Sequence, residues 1–98
     1  MVVKNWDTQK SRIIYRRFAA GESLIAGLES FANAEGIGEA AITSCIGPLS
    51  QLKLRNLCDR KDGVPEFERQ TIKENLELVS AEGYVQPLEE GGIRVHIH

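Results

Sequence analysis

The sequence has few of the features that would assign it directly to a functional class. It has 12 basic and 14 acidic side chains, so its net charge of −2 provides no general attraction to a phosphate backbone. This balance disfavours DNA binding driven by overall charge. The sequence also contains no nucleophile elbow and no phosphate loop. Gly36-Ile37-Gly38 follows a helical pattern and lacks the third glycine of a dinucleotide-binding fingerprint.

Long apolar runs are also missing. The first 20 residues contain no apolar stretch long enough for a signal-peptide core or a membrane span, because charges interrupt them at Lys4, Asp7, Lys10, Arg12, Arg16 and Arg17. We therefore expect a cytoplasmic protein. The only cysteines are Cys45 and Cys58. Two residues are too few for a disulfide framework, so we expect small buried side chains with reduced thiols.

The clearest local pattern predicts a helix from about residue 22 to residue 35. Its apolar positions recur at helical spacing, at Leu24, Ile25, Leu28, Phe31 and Ala32. Gly36 follows the last periodic residue, where a left-handed cap does not cause a Cβ clash. We expect this apolar face of the helix to pack against a β-sheet.

The rest of the chain is typical of strands. Residues 12–18 are expected to form a strand covered on both sides, and residues 40–57 a strand hairpin that turns near Gly47-Pro48. Asp, Gly and Pro predict turns at 59–66 and 87–92, while 67–72, 76–85 and 93–97 are strand-like, with Gly83 at a bulge or a close backbone approach. These patterns predict an α+β domain with a mostly antiparallel sheet of about six strands and one main helix on one face.

The 98 residues are enough for one small domain. Such a domain buries only about 60 to 65% of its unfolded surface, so a partner subunit would add stability. We interpret residues 1–10 as an N-terminal tail and residues 11–98 as the domain. Because alternation continues to the last residue, we expect the domain to be truncated at its C-terminal end.

Five blocks of the sequence occur together in a recognisable order. They are Gly21-Glu22-Ser23-Leu24, Phe31-Ala32 through Gly36-Ile37, Ile46-Gly47-Pro48-Leu49, Glu77-Leu78-Val79-Ser80 with Gly83, and His96-Ile97-His98. In this order the chain from residue 15 to residue 98 resembles the plants-and-prokaryotes-conserved (PPC) domain. That domain accompanies AT-hook motifs in plant nuclear proteins and stands alone in bacteria and archaea.

The resemblance implies an α+β subunit that assembles as a homotrimer, has a role in DNA-associated regulation and has no established catalytic activity. This sequence differs from the family pattern in three ways, which limits what the resemblance implies. Ala81 replaces a larger apolar residue, the family's later Gly-Gly-His segment is missing, and no Arg-Gly-Arg-Pro hook is present. The plant mode of contact, with arginines in a narrow A·T minor groove, therefore cannot be transferred.

His96 and His98 are the candidate metal ligands. Their i, i+2 spacing on a strand points both imidazoles to one face, with Cα atoms about 6.8 Å apart. A stable zinc site needs three or four ligands. The missing Gly-Gly-His segment would supply a third nitrogen, while within this sequence Glu77, Glu82 and Cys45 are the candidate completions. The alternative is that two histidines occupy a polar strand face without a metal.

Enzymatic chemistry remains an open alternative that the sequence does not favour. Ser44, Ser80 and Cys45 are candidate nucleophiles, and the two histidines are candidate bases. Nothing in their spacing sets a nucleophile beside an oriented base. We therefore expect a non-enzymatic, trimeric PPC-type domain with DNA as a candidate partner. The alternative is a zinc-binding protein or metal-assisted enzyme.

Overall fold

The computed structural model describes residues 12–98, so the interpretation of residues 1–10 as a tail lies outside the described residues. These described residues form helix α1 and seven strands, with bounds α1 Leu24–Glu35, β1 Ala40–Ile42, β2 Gly47–Leu49, β3 Leu52–Lys61, β4 Val64–Ile72, β5 Leu76–Leu78, β6 Gly83–Pro87 and β7 Ile93–Ile97. Every strand pairing is antiparallel. The predicted α+β class is confirmed, with seven strands instead of about six.

Helix α1 begins and ends close to the predicted residues. Ser23 is the extended N-cap residue, and Gly36 adopts the left-handed conformation at φ 69°. The N–H of Ile37 then donates to the carbonyl of Ala32 at 2.8 Å, and the N–H of Gly36 donates to that of Asn33 at 3.3 Å. These two bonds satisfy carbonyls that the helix end leaves without partners, so local signals are enough to end the helix here.

The helix covers one face of a three-stranded sheet with the strand order β1-β6-β7. The core between them is formed by Ala32, Val85 and Val95, with partly buried apolar side chains packed around it at Leu28, Ile37, Ile42, Ile93 and Ile97. The side chain of Ala81 is 3% exposed and therefore also lies in the interior. The prediction that one helix face packs on a sheet is confirmed.

Gly83 allows β6 and β7 to approach closely. It pairs with Ile42 of β1 and with Ile97 of β7, which places it in the central strand. An added Cβ would overlap the carbonyl oxygen of His96 and lie 2.8 Å from the carbonyl carbon. The expected close backbone approach at Gly83 is therefore confirmed.

The predicted hairpin turn at Gly47-Pro48 is wrong. Gly47–Leu49 is strand β2, which pairs with β5 and places Pro48 opposite Glu77, while β1 pairs with β6. The prediction assumed that neighbouring segments pair. Pairing β1 with β6 instead packs Ile42 against the core, and proline is tolerated in β2 because a two-stranded ribbon has edges where its missing N–H is not required.

The predicted turn at 59–66 is confirmed but is shorter than expected. Only Asp62 and Gly63 separate β3 from β4, and both have positive φ, 51° and 77°. Asp-Gly is a preferred sequence for such two-residue turns. The flanking residues extend a long hairpin with one register shift between Leu57 and Asp59.

Residues 12–18 do not form the predicted strand. Ile13 is 100% exposed and Tyr15 is 84% exposed, so this segment is not covered on both sides. It lies along α1 instead, where Arg12 donates to the carbonyl of Glu35 at 3.2 Å and Phe18 packs beside Gly27. A strand needs a partner strand, and within residues 12–98 this segment has none.

Arginine side chains attach the segment to the helix. Arg16 binds the Glu22 carboxylate at 2.7 Å, and its guanidinium carbon lies 4.4 Å from the centre of the Phe18 ring. The Arg16 hydrogen bond, and then the N–H of Ala19, lower the pKa of Glu22 from its ordinary value of 4.5. Arg12 is within 4.0 Å of the Glu35 carboxylate.

Both cysteines have free thiols, but the expected burial is wrong for Cys58. Its side chain is exposed, and its Sγ lies 3.4 Å from the carbonyl oxygen of Glu66. The long hairpin leaves this position uncovered. No helix in the described part of the chain has both the length and the apolar composition to cross a membrane.

Candidate functional site

The first candidate surface is the sheet face that α1 does not cover. Tyr84 pairs with His96 across β6 and β7, one residue away from the buried pair Val85 and Val95. Successive side chains of a strand point to opposite faces, so Tyr84 and His96 lie on the side away from the core. His98 follows at i+2 and shares this side. The prediction that both histidines lie on one strand face agrees with the register.

The His96 ring is held against Tyr84. Their ring centroids are 4.8 Å apart with an interplanar angle of 25°, which is a stacked arrangement. The Nε2 atom of His96 is buried and has no hydrogen-bond partner within residues 12–98. A buried polar atom without a partner is unfavourable by roughly 1–3 kcal/mol.

Glu82 lies beside His98. Their main chains exchange two hydrogen bonds, His98 N–H to Glu82 at 2.7 Å and Glu82 N–H to His98 at 3.0 Å. These bonds continue the β6–β7 pairing beyond the assigned strands and place the two side chains on the same face. An open concavity of about 570 Å³ adjoins them, and its lining includes Thr43 and Ala41.

The other proposed completions of the metal site are less well placed. Glu77 is on β5, which belongs to a different sheet, and Cys45 is in the loop between β1 and β2. Among residues 12–98, no three His, Cys, Asp or Glu side chains are grouped to hold a metal ion. The described residues therefore supply two imidazoles on one face, with the carboxylate of Glu82 on the same face.

The second candidate surface is one face of the β3–β4 hairpin, which we call the basic face. Cross-strand pairing places Lys53 opposite Thr71, Arg55 opposite Arg69, and Leu57 opposite Phe67. The basic face is these six residues. All six side chains are exposed, and an open concavity of about 270 Å³ lies among Lys53, Arg55, Arg69 and Thr71.

The charges of the hairpin are separated by face. Its three cations on the basic face form no salt bridge with any residue in the range 12–98. The carboxylates of Asp59, Glu66 and Glu68 fall on the other face by the same pairing, and Glu66 lies 3.8 Å from Lys61 there. The basic face therefore carries three positive charges and no negative one.

Sequence reasoning identified only part of the basic face. The alternation from 49 to 57 places Lys53 and Arg55 on the polar side of a strand, but the charges within 67–72 indicate only that Arg69 lies on an edge strand. The Asp62-Gly63 turn by itself would place Arg55 opposite Gln70. The register shift between Leu57 and Asp59 brings Arg69 opposite Arg55 instead, and the sequence pattern did not indicate that shift.

The sequence matches the model of a known protein family. A family model described as the Plants and Prokaryotes Conserved (PCC) domain matches residues 7–98. The chain belongs to the PCC family. This is the family that the five sequence blocks resemble, so the predicted membership is confirmed. In this PCC domain, the His-x-His block begins with the last two residues of β7, and the Glu77 block contains the last two residues of β5 and the residues after it.

One solved structure shares the fold. It is the crystal structure of a proposed DNA-binding protein from Bacteroides thetaiotaomicron VPI-5482, with a TM-score of 0.61 and 22% sequence identity. The match covers 74% of this PCC domain chain and 47% of the other chain, so the present chain spans about half the length of that protein. At this identity the similarity concerns the fold. No curated protein matches the sequence significantly.

Proposed function

We propose that this PCC domain is a non-enzymatic, homotrimeric protein that binds DNA or acts in DNA-associated regulation in the cytoplasm. Family membership is the observation that carries the proposal. The solved structure with the same fold is described as a proposed DNA-binding protein, which adds support from a distant relative. The role is assigned to the domain as a whole and does not require a catalytic group.

The small core supports the homotrimer. Only four of the described residues are buried apolar side chains: Ala32, Ala81, Val85 and Val95. Large apolar side chains remain exposed at several separate places, with Ile46 at 74% and Val79 at 79%. Covering such groups in a subunit interface removes apolar surface from water, at about 25 cal/mol per Å².

Light scattering during size-exclusion chromatography tests the assembly. We expect the mass of three chains at micromolar concentration. Substituting Val79→Asp should lower that mass if Val79 lies in the interface, because a charge would be buried there without a partner. The matched control is Val64→Asp in the exposed hairpin. A monomeric mass for the unmodified protein would remove the trimer from the proposal.

Fluorescence anisotropy with a labelled DNA duplex tests the DNA part. Binding should weaken as salt rises from 50 to 200 mM, because each phosphate contact releases condensed counterions. Binding without salt dependence would not involve the phosphates. No binding at 50 mM salt would contradict the DNA-binding function, and the family assignment would then stand without it.

A second proposal is that His96 and His98 are two ligands of a Zn²⁺ ion. It is favoured by the buried Nε2 atom of His96, which has no partner within residues 12–98, and by the shared face of the two imidazoles. Imidazole nitrogen is a preferred zinc ligand, but a structural site needs four ligands. Glu82 pairs with His98 and supplies an additional carboxylate on the same face, and neighbouring subunits of a trimer would supply the remainder.

Elemental analysis of protein purified without a histidine tag tests the zinc site. We expect stoichiometric zinc in the unmodified protein and its loss in His96→Ala. Gln86→Ala is the control, since Gln86 is on the same face of β6 but is not a strong zinc ligand. Protein without metal, or equal zinc in His96→Ala, would contradict the zinc proposal and leave the DNA-associated proposal unchanged.

A further inference from the structure

We infer that the basic face of the β3–β4 hairpin contacts the phosphate backbone of duplex DNA. This inference rests on the proposed DNA-associated function and names the surface that carries it. The three cations are Lys53, Arg55 and Arg69, held side by side by the pairing register. The overall charge of −2 does not oppose such contact, because charges more than a Debye length away are largely screened.

The shape of the hairpin suits a DNA groove. From Arg55 to Thr71, every side chain whose burial is described is exposed, so both faces of this ribbon are open to solvent. A two-stranded ribbon fits the major groove of B-DNA, which is about 12 Å wide. A ribbon lying there can place side chains of one face against the flanking phosphates.

The side chains of the basic face are arranged for an anion. Arg55 and Arg69 are directly opposite each other, and like charges in that position destabilise a strand pair. No carboxylate within residues 12–98 neutralises either of them. A bound phosphate would neutralise this repulsion, and arginine can bind phosphate with two parallel hydrogen bonds.

Phe67 contributes to the inferred phosphate contact by packing against the guanidinium group of Arg55. The guanidinium carbon of Arg55 lies 4.4 Å from the centre of the Phe67 ring. This contact restricts the long arginine side chain and leaves its N–H groups at the surface. It also covers one face of the ring, which makes Phe67 a poor platform for stacking an unpaired base. The arrangement therefore favours duplex over single-stranded DNA.

Contact with a second copy of the chain is less consistent with these charges. In a closed symmetric interface formed by this face with itself, the same three cations would meet. That juxtaposition is repulsive. The interfaces of a homotrimer are head-to-tail, so there a different surface of the neighbouring copy would have to neutralise the three cations. The mass of each variant must therefore be measured.

The test compares two variants that lose the same charge. The first combines Lys53→Gln, Arg55→Gln and Arg69→Gln on the basic face. The control combines Arg12→Gln, Arg17→Gln and Arg94→Gln, which are exposed and lie outside the hairpin. Both variants change the net charge from −2 to −5, so only the position of the lost charges differs.

Affinity for a labelled duplex is measured between 50 and 200 mM salt. Three phosphate contacts contribute about −2.7 to the slope of log K against log salt, which is an approximately 40-fold change over this range. For each protomer in contact with DNA, the salt slope of the basic-face variant should be smaller in magnitude by about 2.7. The control should remain within about threefold of the unmodified protein, because its changed charges are distant and screened.

A single substitution distinguishes a loss of DNA affinity from a loss of protein stability. Arg69→Thr removes one of the two opposed arginines with a residue suited to strands, so the melting temperature should be unchanged or higher while DNA affinity falls. Duplex affinity of the basic-face variant equal to the unmodified protein would overturn the inference but leave the proposed function intact. No DNA binding by the unmodified protein would overturn both.

Three further results would also overturn the inference. The first is an equal loss in the control variant, which would indicate a general charge effect. The second is a stronger preference for single-stranded DNA that depends on the basic face. The third is a changed mass for the basic-face variant in light scattering, which would assign this face to contacts between copies.

Discussion

Substituting Gly83 by alanine should destabilise the protein severely. An alanine Cβ would overlap the carbonyl oxygen of His96, lie 2.8 Å from its carbonyl carbon and 3.0 Å from the Cα of Ile97. Non-bonded carbon atoms are normally about 3.5 Å apart or more, so the strands must separate by at least about 0.7 Å. All three atoms belong to the backbone of β7. No change of side-chain rotamer can relieve the overlap.

The expected loss follows from the position of Gly83 in the central strand. Moving β7 away stretches the β6–β7 hydrogen bonds, and it opens the core at Val85 and Val95, which pair two residues further along. Overpacking typically reduces stability by about 1–3 kcal/mol, and a rigid backbone places this case at about 3 kcal/mol or more. For a domain of this size that corresponds to a fall in Tm of roughly 12–24 °C.

Gly38→Ala is the matched control. A Cβ at Gly38 would meet no atom within 4 Å. Its melting temperature should stay the same or rise slightly, because alanine restricts the unfolded chain. Thermal unfolding is followed by circular dichroism at one fixed protein concentration, since association makes Tm depend on concentration. A Gly83→Ala protein that melts within a few degrees of Gly38→Ala would refute the described β6–β7 approach.

Three other predictions follow from the same structure. Val95→Ala should lower the free energy of unfolding by about 2 kcal/mol, because Val95 is only 6% exposed. Val64→Ala, in the exposed hairpin, should lower it by almost nothing. Chemical denaturation measures both values. Because its pKa is lowered on folding, Glu22 stabilises the fold at neutral pH, and this contribution is lost as pH falls through its folded-state pKa. The difference in Tm between the unmodified protein and Glu22→Gln should therefore shrink on acidification, and a constant difference would contradict the Arg16–Glu22 interaction. Amide hydrogen exchange should be much faster in β3–β4 than at Val85 and Val95, because the exposed hairpin opens without disrupting the core; equal protection would indicate that this hairpin is covered in solution.

Local features of the chain were predictable because their causes lie within a few residues. The helix needs only its 3.6-residue apolar period, and its end needs only Gly36. The turn at Asp62-Gly63 is likewise a preference of two adjacent residues. The same reasoning identified His96 and His98 as neighbours on one strand face.

The strand partners were not predictable in this way. Residues 12–18 have a strand-like composition but lie along α1, and Gly47-Pro48 lies in a strand instead of a turn. Both errors have one physical reason. A strand is stabilised by its partners and by the apolar surface that it covers, and these depend on segments far away in the chain.

The sequence by itself determined the helix, the presence of a turn within 59–66, the family and the alternation that places the two histidines together. Only the tertiary structure decided that β1 pairs with β6, that the Nε2 atom of His96 is buried, and that Arg69 stands opposite Arg55. The reason is the separation along the chain over which each effect acts. Backbone preferences act between neighbouring residues, whereas pairing, burial and the local field of several charges arise only when distant segments meet.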